Sequence, residues 1–426
     1  MPFGISAFVN SWKPAAAIPT CRDRLLFLGS FLLLTVLRMP KVVFEGRLWA
    51  EEGSVFYATA AASPWPQAIF HSYMGYMNLG ANLAAVIARH LVALEYAPRV
   101  TLVFAILPQI CPALLLVTSD TSWLRSRARL GGALWLLAGA PSAEKVWLDT
   151  LHSQFHLGLC AALILALDLE PGGREIFRRF LLFVAPLYGL VAIVVLPLFA
   201  LRSIIDRSHG RLVQTAMLAL GSAIQLLFFY HTVSERQTSD FRLILATFFM
   251  KNMVLPLLGF SGSQPIATWL HAALDHGYLP TLVLITISLV VGLLLWLVRR
   301  GPAACWWLVL AGGLIALVSY YGALSATSAN VEPHASGRYA FVPQVLFAWT
   351  LVASTASTKS PRNLIAWGLV VWIGCASVST YLHPDPSSST GPDWRAEVAK
   401  WRLDSHYSPQ VWPGGTWRIP MPIRSI

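Results

Sequence analysis

Charged residues are scarce in this chain of 426 residues. Aspartate, glutamate, lysine and arginine make up 12% of the sequence, hydrophobic residues make up 56%, and the mean hydropathy is +0.60. A soluble domain carries about 25% charged residues, so the composition excludes an ordinary soluble fold. Apolar runs of roughly 18 to 20 residues recur, and each can cross about 30 Å of hydrocarbon as a helix. The sequence therefore predicts an all-α, polytopic transmembrane bundle rather than a β-barrel, whose segments would alternate over about 10 residues.

Cysteines and nucleotide-binding motifs are also few or missing. The five cysteines have no paired spacing, which argues against a disulfide framework or a thiolate metal site. Neither a P-loop nor a Gly-x-Gly-x-x-Gly motif after a strand is present, so we expect no ATP hydrolysis. We expect no cofactor and no metal ion. The lack of a clear internal repeat argues against an inverted-repeat transporter.

The net charge of +11 comes from short basic clusters between apolar runs. This is the pattern of cytoplasmic membrane loops, so we expect no nucleic-acid partner. The clusters are Arg22/Arg24, Arg125/Arg127/Arg129, Arg174/Arg178/Arg179, Arg202/Arg207/Arg211, Arg299/Arg300 and Lys359/Arg362. If all face the cytoplasm, the extracytoplasmic segments are 41–97, 147–153, 231–279, 323–338 and the chain after 382.

The apolar runs predict about 9–11 membrane helices. The clear spans are about 24–39, 98–118, 130–146, 154–169, 211–230, 280–298, 303–322, 339–356 and 364–381. We interpret 79–96 and 241–260 as interfacial or half-inserted helices. Segment 180–201 must return to its own side, and Pro186, Gly189 and Pro197 would break it into a re-entrant hairpin.

The chain divides into a transmembrane module, 1–381, and a short tail, 382–426. The module contains a long first extracytoplasmic loop, 41–97. The tail is rich in tryptophan and proline and is too short for an ordinary independent core. We expect it to pack against the outer loops or lie at the membrane interface, with a short helix around 392–403.

Two adjacent acids, Glu51 and Glu52, follow the first span and stand beside Trp49 and Phe56. Carboxylates near a membrane are expensive to desolvate, so they mark places that hold a proton, a cation or a polar substrate. If both are buried, their pKa values should separate, leaving one to accept a proton. The alternative is a structural role, in which they cap a helix or pair with Arg47.

The same loop continues with an aromatic stretch over 71–78. Tyr73, Tyr76 and Asn78 are candidates for sugar binding, because aromatic faces stack on sugar rings and amides bind hydroxyl groups. Anchoring of the tyrosines at the membrane interface is the alternative.

A third candidate lies at 144–156. His152 and His156 have the i, i+4 spacing that could bind a metal ion, but two histidines are weak evidence for one. We favour hydrogen bonding of His152 to a phosphate or to neighbouring loops, and include Gln154 among the substrate-binding candidates.

Arg338 and Tyr339 stand at the outer entrance to a late span, directly after Gly337. A guanidinium can bind a phosphate through two parallel hydrogen bonds, and glycine allows close approach. Lys251 is a second candidate phosphate ligand. The alternative for Arg338 is an interfacial arginine that extends toward water.

Together these features resemble the GT-C superfamily of integral-membrane glycosyltransferases, especially bacterial members that use polyprenyl-phosphate sugars. The resemblance rests on Trp49-Ala50-Glu51-Glu52-Gly53, on Tyr73-Met74-Gly75-Tyr76, on Gly337-Arg338-Tyr339 and on the Trp-Pro tail. The second acidic position, often Asp in that family, is Glu52 here, and the large soluble C-terminal domain of several members is absent.

The resemblance implies a multi-pass protein of the bacterial inner membrane whose active site faces the periplasm or cell exterior. Its donor would be a polyprenyl-phosphate-linked sugar, and its acceptor a glycan or lipid-linked molecule. Glu52 or Glu51 would act as general base in an inverting transfer, while Arg338, with Lys251 or His152, would stabilise the departing lipid phosphate.

Two other functions remain open at this point. A transporter or flippase would place acids deep within its spans, whereas here they lie outside them. A polysaccharide polymerase would also join lipid-linked glycans, using outer-loop arginines more than an acid in the first loop.

Overall fold

The computed structural model of the protein describes residues 18–230, 238–324, 326–357, 361–383, 388 and 390–421. Within these residues nearly all regular structure is helical, which confirms the predicted all-α class. The α-helices are α1 (Cys21–Arg38), α2 (Pro40–Glu45), α3 (Ala58–Ala62), α4 (Trp65–Ile69), α5 (Leu79–His90), α6 (Ala97–Thr118), α7 (Arg127–Ala138), α8 (Ser153–Ala166), α9 (Gly173–Val184), α10 (Leu196–Asp206), α11 (His209–Tyr230), α12 (Phe241–Phe248), α13 (Leu255–Asp275), α14 (Thr281–Val298), α15 (Ala303–Gly322), α16 (Gly337–Ser354), α17 (Pro361–Leu382) and α18 (Trp394–Leu403).

Shorter elements join these helices. Two segments are π-helical, Glu52–Tyr57 and Phe249–Val254. The 3₁₀ turns are Leu94–Tyr96, Ser122–Leu124, Pro141–Lys145, Ala185–Tyr188, Ile193–Val195 and Ser328–Val331. The strands β1 (Ser72–Tyr73) and β2 (Tyr76–Met77) form an antiparallel hairpin.

Six helical segments of the described chain are long and apolar enough to cross a membrane. They are Leu94–Thr118, His209–Tyr230, Phe241–Asp275, Thr281–Val298, Ala303–Gly322 and Pro361–Leu382. The four other predicted spans coincide with α1, α7, α8 and α16, in whole or in part. The structure is therefore a polytopic helical bundle, as predicted, and six segments of the described chain combine the length and the apolarity of a membrane span.

Two predicted segments have different extents in the structure. The span predicted at 130–146 ends as α7 at Ala138, because Gly139 and Pro141 turn the chain into a 3₁₀ segment. The segment 241–260, interpreted as interfacial or half-inserted, lies in a helical run that extends to Asp275 but is kinked at Gly259, whose φ of +66° is non-helical. Its proline lies at the first turn of α13, where a missing N–H is tolerated.

Segment 180–201 is broken where its prolines and glycine predicted a break. Helix α9 ends in the 3₁₀ turn Ala185–Tyr188, Gly189 leaves the helical conformation, and α10 starts at Leu196. A Cβ on Gly189 would lie 2.1 Å from Oε1 of Gln154, so the break also allows close packing on α8.

Helices α8 and α16 form the centre of the bundle. Nearly every residue of both is buried, on all faces, as expected for helices that are apolar all round. Helix α14, by contrast, exposes most of its surface, as a helix at the lipid-facing periphery would. The rings of Phe155 and Tyr339, in the first turns of α8 and α16, lie 5.9 Å apart, so the N-termini of the two central helices lie in one region.

Ion pairs gather three of the basic clusters at one end of the bundle. Arg24 and Arg174 both pair with Asp120, at 2.8 and 2.5 Å, and Arg127 pairs with Asp23, the neighbour of Arg24, at 2.8 Å. Helix α1 leads away from this end, and its 18 residues rise about 27 Å before the first loop begins. The acid-bearing loop therefore lies at the opposite end from the basic clusters.

Candidate functional site

The two adjacent glutamates have different surroundings. Glu52 is 2% exposed, whereas Glu51 is half-buried. Glu52 begins the π-helical segment, and Glu51 immediately precedes it with α-helical backbone angles. Ala50, one residue earlier, has a φ of +34°. The chain thus changes direction just before the two glutamates, and because adjacent helical residues point in different directions, one carboxylate is buried while the other is partly exposed.

The carboxylate of Glu52 is held by three hydrogen bonds. Its Oε1 accepts from the backbone N–H and from the hydroxyl of Thr150, both at 2.6 Å. Its Oε2 accepts from the N–H of Trp49 at 2.8 Å. These bonds join the first loop to the segment before α8. Glu52 thus has the contacts of a residue that fixes two loops together.

Burial, followed by the nearby Asp149 carboxylate, raises the pKa of Glu52 to about 7. Burial also acts to raise the pKa of Asp149, but the charge and hydrogen bonds of His152 and the charge of Arg47 outweigh it, so that the pKa is lowered. The two carboxyl groups therefore titrate apart, with Asp149 the more acidic, as expected when like charges share a buried region.

A buried network supports Glu52 from below. Nδ1 of His152 lies 2.9 Å from Oδ2 of Asp149, and the His152 N–H donates to Oδ1 of the same carboxylate at 2.9 Å. Nη2 of Arg47 lies 4.0 Å from Asp149 and donates to the carbonyl of Trp147 at 3.1 Å. Because a buried charge is costly without a partner, this cation balances the carboxylates beneath the site.

Gln109, on α6, completes the support of this segment. Its Nε2 donates to the carbonyls of Val146 and Asp149, at 3.2 and 3.0 Å, and its Oε1 accepts from the N–H of Leu148 at 2.9 Å. Gln109 was not predicted from the sequence. Its position within an apolar span could have indicated it, because a polar residue there usually has a specific partner.

The hairpin of the first loop brings two tyrosines onto one face. Tyr73 and Tyr76 are paired directly across the two strands, so their side chains lie on the same side. The two-residue turn needs positive φ at both central positions, and Met74 and Gly75 have φ values of +51° and +86°. Glycine serves this turn as the Tyr-x-Gly-Tyr pattern suggests.

Glu51, Tyr73, Tyr76 and Arg338 lie close enough to interact electrostatically. The Glu51 carboxylate interacts electrostatically with the Arg338 guanidinium and with the Tyr73 phenol, and Tyr76 also interacts with Arg338. Burial, followed by the charge of Glu51, raises the pKa of Tyr73. The guanidinium of Arg338 lies 5.0 Å from the centre of the Tyr339 ring and is exposed to solvent. A carboxylate, a guanidinium and two phenols thus form one cluster, which we call the aromatic recess.

Gln154 borders the same recess. Its Nε2 donates to the Tyr76 hydroxyl at 3.2 Å and to the carbonyl of Leu151 at 3.3 Å. Helix α8 therefore orients one of the phenols through Gln154.

Asn78 and Lys251 occupy different positions from those predicted. Asn78 is 1% exposed, caps α5 through the N–H of Ala81 at 3.1 Å, and donates to the carbonyl of Leu151 at 3.2 Å. Lys251 is 1% exposed and donates to the carbonyls of Glu332, Pro333 and Ala335. An ammonium has three donors, so these contacts leave none for a phosphate. Both residues shape loops of the site instead of lining its cleft.

Lys145 was not among the predicted phosphate ligands but lies beside Arg338. Its side chain packs on Gly337, where an added Cβ would be 3.3 Å from Cγ of Lys145. Lys145 is partly exposed. Glu144, its neighbour, is buried 3.4 Å from Nδ1 of His334.

The alternative of a histidine metal site is not supported by its surroundings. His156 is fully buried, with its ring 4.5 Å from that of Trp147 and 5.0 Å from that of Phe341. Within the part of the chain that the structure describes, no group of three or more histidine, cysteine, aspartate or glutamate residues could hold a metal ion.

An apolar cavity of about 340 Å³ opens between the helices next to this site. Leucine, valine, methionine and phenylalanine residues of α7 and α12 to α17 form most of its wall, and Asn252 and Gln344 provide polar atoms. Gln344 accepts from the N–H of Ser142 at 3.3 Å, and Ser142 packs on Gly337. Ser142 therefore connects the polar part of the cavity to Gly337, the residue that precedes Arg338.

Comparison with known proteins gives one solved structure similar in shape. The chain resembles the apo crystal structure of ArnT from Cupriavidus metallidurans, with a TM-score of 0.41 and 16% sequence identity. The match covers 82% of this chain and 61% of that protein's length. No protein-family model and no curated protein matches the chain.

Proposed function

We propose that this protein is an integral-membrane glycosyltransferase of the GT-C kind. It transfers a sugar from a polyprenyl-phosphate donor to a glycan or lipid-linked acceptor on the extracytoplasmic face, with inversion. The observation that carries the proposal is the electrostatic interaction of a half-buried carboxylate, Glu51, with the guanidinium of the exposed residue Arg338, beside Tyr73 and Tyr76.

Glu51 is the general base of this reaction. It removes the proton from the acceptor hydroxyl, and the oxygen attacks the anomeric carbon as the bond to the lipid phosphate breaks. Help of this kind contributes about 10²- to 10⁴-fold to the rate. Glu52 cannot reach an acceptor without giving up its hydrogen bonds to Thr150 and Trp49, so its role is to position the loop.

Arg338 stabilises the negative charge that grows on the departing lipid phosphate. Its fork of donors suits phosphate oxygens, and it interacts electrostatically with the Glu51 carboxylate, so it lies near the base. Lys145, which packs on Gly337, takes the place earlier given to Lys251 as the second cation near this phosphate.

The lipid chain of the donor lies in the apolar cavity beside the site. A hydrocarbon chain needs apolar walls, and the phosphate at its end needs polar groups and cations. The apolar helical wall of the cavity leads to Gln344, and the contacts of Ser142 lead from there toward Arg338. The basic clusters at the far end of the bundle support an extracytoplasmic position for the site, because such clusters are typical of cytoplasmic loops.

The test is the surface glycan of the source organism without this gene, complemented with wild type, Glu51→Gln or Glu51→Asp. We expect loss of one defined sugar, restored by wild type and not by Glu51→Gln. An unchanged glycan, or restoration by Glu51→Gln, would contradict the proposal. Loss of chain length with unchanged composition would indicate a polymerase instead.

A further inference from the structure

The C-terminal tail contacts the backbone that carries the two glutamates. The N–H of Trp412 donates to the carbonyl of Leu48 at 3.0 Å, and the N–H of Ala50 donates to the carbonyl of Trp412 at 2.5 Å. These two bonds bracket Trp49 and end one residue before Glu51. We propose that Trp412 is a positioning residue for Glu51. This inference rests on the proposed function.

The backbone at this point needs external support. Ala50 has a φ of +34°, in the left-handed region that residues with a Cβ rarely adopt. Such a conformation is energetically unfavourable and persists only where the surroundings impose it. The Ala50 N–H itself donates to the Trp412 carbonyl. The tail therefore restrains the backbone of the residue that directly precedes Glu51.

The Trp412 side chain holds its backbone in this position. The guanidinium of Arg47 lies over both indole rings, 5.6 Å from the ring centre of Trp412 and 4.6 Å from that of Trp49. Its Nε1 donates to the carbonyl of Pro392 at 3.0 Å. An added Cβ on Gly391 would lie 2.4 Å from Cγ of Trp412, so that glycine is needed for the contact.

The tail also packs tightly on the turn that follows the glutamates. An added Cβ on Gly53 would meet Cγ1 of Val411 at 2.6 Å and Cδ1 of Ile419 at 3.2 Å. Close packing on both sides of residues 50–53 limits their movement. A general base must be held close to its productive geometry, because a misplacement of about 1 Å can cost 10²-fold in rate.

The tail is itself an ordered unit. The carboxylate of Glu397 on α18 accepts from Nζ of Lys400 and the hydroxyl of Tyr407, both at 2.6 Å, and from the N–H of Gln410 at 2.8 Å. These bonds fold the chain back from α18 to the strand-like segment around Trp412. The tail thus has the rigidity that a positioning element requires.

A matched pair of substitutions in the full-length protein tests this role. Trp412 and Trp394 are buried tryptophans of the same tail, 3% and 6% exposed, and each donates one indole hydrogen bond. Trp394 bonds to the carbonyl of Leu94 and not to the segment 47–50. Trp412→Ala should lower kcat about 10- to 100-fold with KM changed by less than about threefold, whereas Trp394→Ala should keep kcat within about threefold for equal amounts of folded protein.

Trp412→Phe keeps an aromatic ring and should recover most of the lost kcat; it also serves as the test variant if Trp412→Ala does not fold. Equal losses of kcat in the Trp412 and Trp394 variants, or full activity in Trp412→Ala, would overturn the positioning role.

Hydrogen exchange separates this inference from the proposed function. Amides 48–52 should exchange at least about tenfold faster in Trp412→Ala than in wild type or Trp394→Ala, since a lost restraint lowers the local opening free energy. If wild type shows no sugar transfer, the proposed function fails, and the exchange result alone decides whether the tail orders this segment. Equal exchange in all three proteins would overturn the inference.

Discussion

The carboxylates of Glu51 and Glu52 belong to neighbouring residues but serve different environments. Glu52 is buried and accepts three hydrogen bonds, two of them from Thr150, whereas Glu51 is half-buried and interacts with the guanidinium of Arg338. One acid therefore ties the first loop to the segment before α8, and the other is available to a substrate. The pair combines support and chemistry within two residues.

Substitution of the two acids should separate activity from stability. Glu51→Gln should lower kcat about 10²- to 10⁴-fold, because the amide cannot accept the acceptor's proton. Its thermal unfolding should match wild type. Glu52→Ala leaves the N–H groups of Trp49 and Thr150 without acceptors and should lower the free energy of unfolding by at least about 2 kcal/mol. Turnover assays and denaturation of both variants in detergent check this; an active Glu51→Gln enzyme would remove the catalytic assignment.

The stability of the protein should depend on pH through Glu52. Its pKa is raised from 4.5 to about 7 in the folded state, so between these values the folded protein binds the proton more tightly than the unfolded chain does. The stabilising contribution of the protonated form is complete below pH 4.5 and is lost as pH rises through about 7. Asp149, whose pKa is lowered, contributes in the opposite sense and at lower pH, below 3.8.

Unfolding of wild type and Glu52→Gln across pH 4 to 8 measures this contribution. As pH rises from 4 to 8, the free energy of unfolding of wild type should fall by about 1–3 kcal/mol relative to that of Glu52→Gln. Parallel curves for the two proteins would show that Glu52 does not titrate in this range.

Arg338 should act mainly on the chemical step. Arg338→Gln keeps a polar side chain but removes the positive charge, so the growing charge on the leaving phosphate loses its stabilisation, and kcat should fall about 10²- to 10³-fold. Arg242→Gln is the matched control, since Arg242 is an arginine of segment 231–279 that pairs with Asp240 away from this recess. Single-turnover kinetics with a polyprenyl-phosphate sugar check the effect. Similar activity in both variants would remove Arg338 from the mechanism.

The sequence predicted the helical bundle well because apolar runs report directly on burial in a membrane. It misjudged ends where proline and glycine redirect the chain, as after Ala138. Lys251 and Pro256 led to the interpretation of 241–260 as interfacial or half-inserted; in the structure Pro256 lies in the first turn of α13, and the helical run is kinked at Gly259.

Only part of the site was predicted from the sequence, because contacts between residues far apart along the chain leave no local pattern. The hairpin of Tyr73 and Tyr76 follows from local turn chemistry, since its glycine is in the sequence. The burial of Glu52 depends on Thr150, 98 residues later, and nothing local distinguishes it from Glu51. The carbonyl partners of Lys251 lie more than 80 residues away, so a buried structural cation resembled a ligand-binding one.

The contact between Gly189 and Gln154 should be sensitive to a single methyl group. A Cβ at position 189 would lie 2.1 Å from Oε1 of Gln154, so Gly189→Ala must displace the amide that donates to the Tyr76 hydroxyl. We expect a loss of about 1–3 kcal/mol in the free energy of unfolding from overpacking, together with weaker substrate binding. The double variant Gly189→Ala/Gln154→Ala relieves the clash and should recover part of the stability but not the substrate affinity. A double-mutant cycle of unfolding free energies measures the coupling between the two positions, and an additive result would show that they do not contact each other.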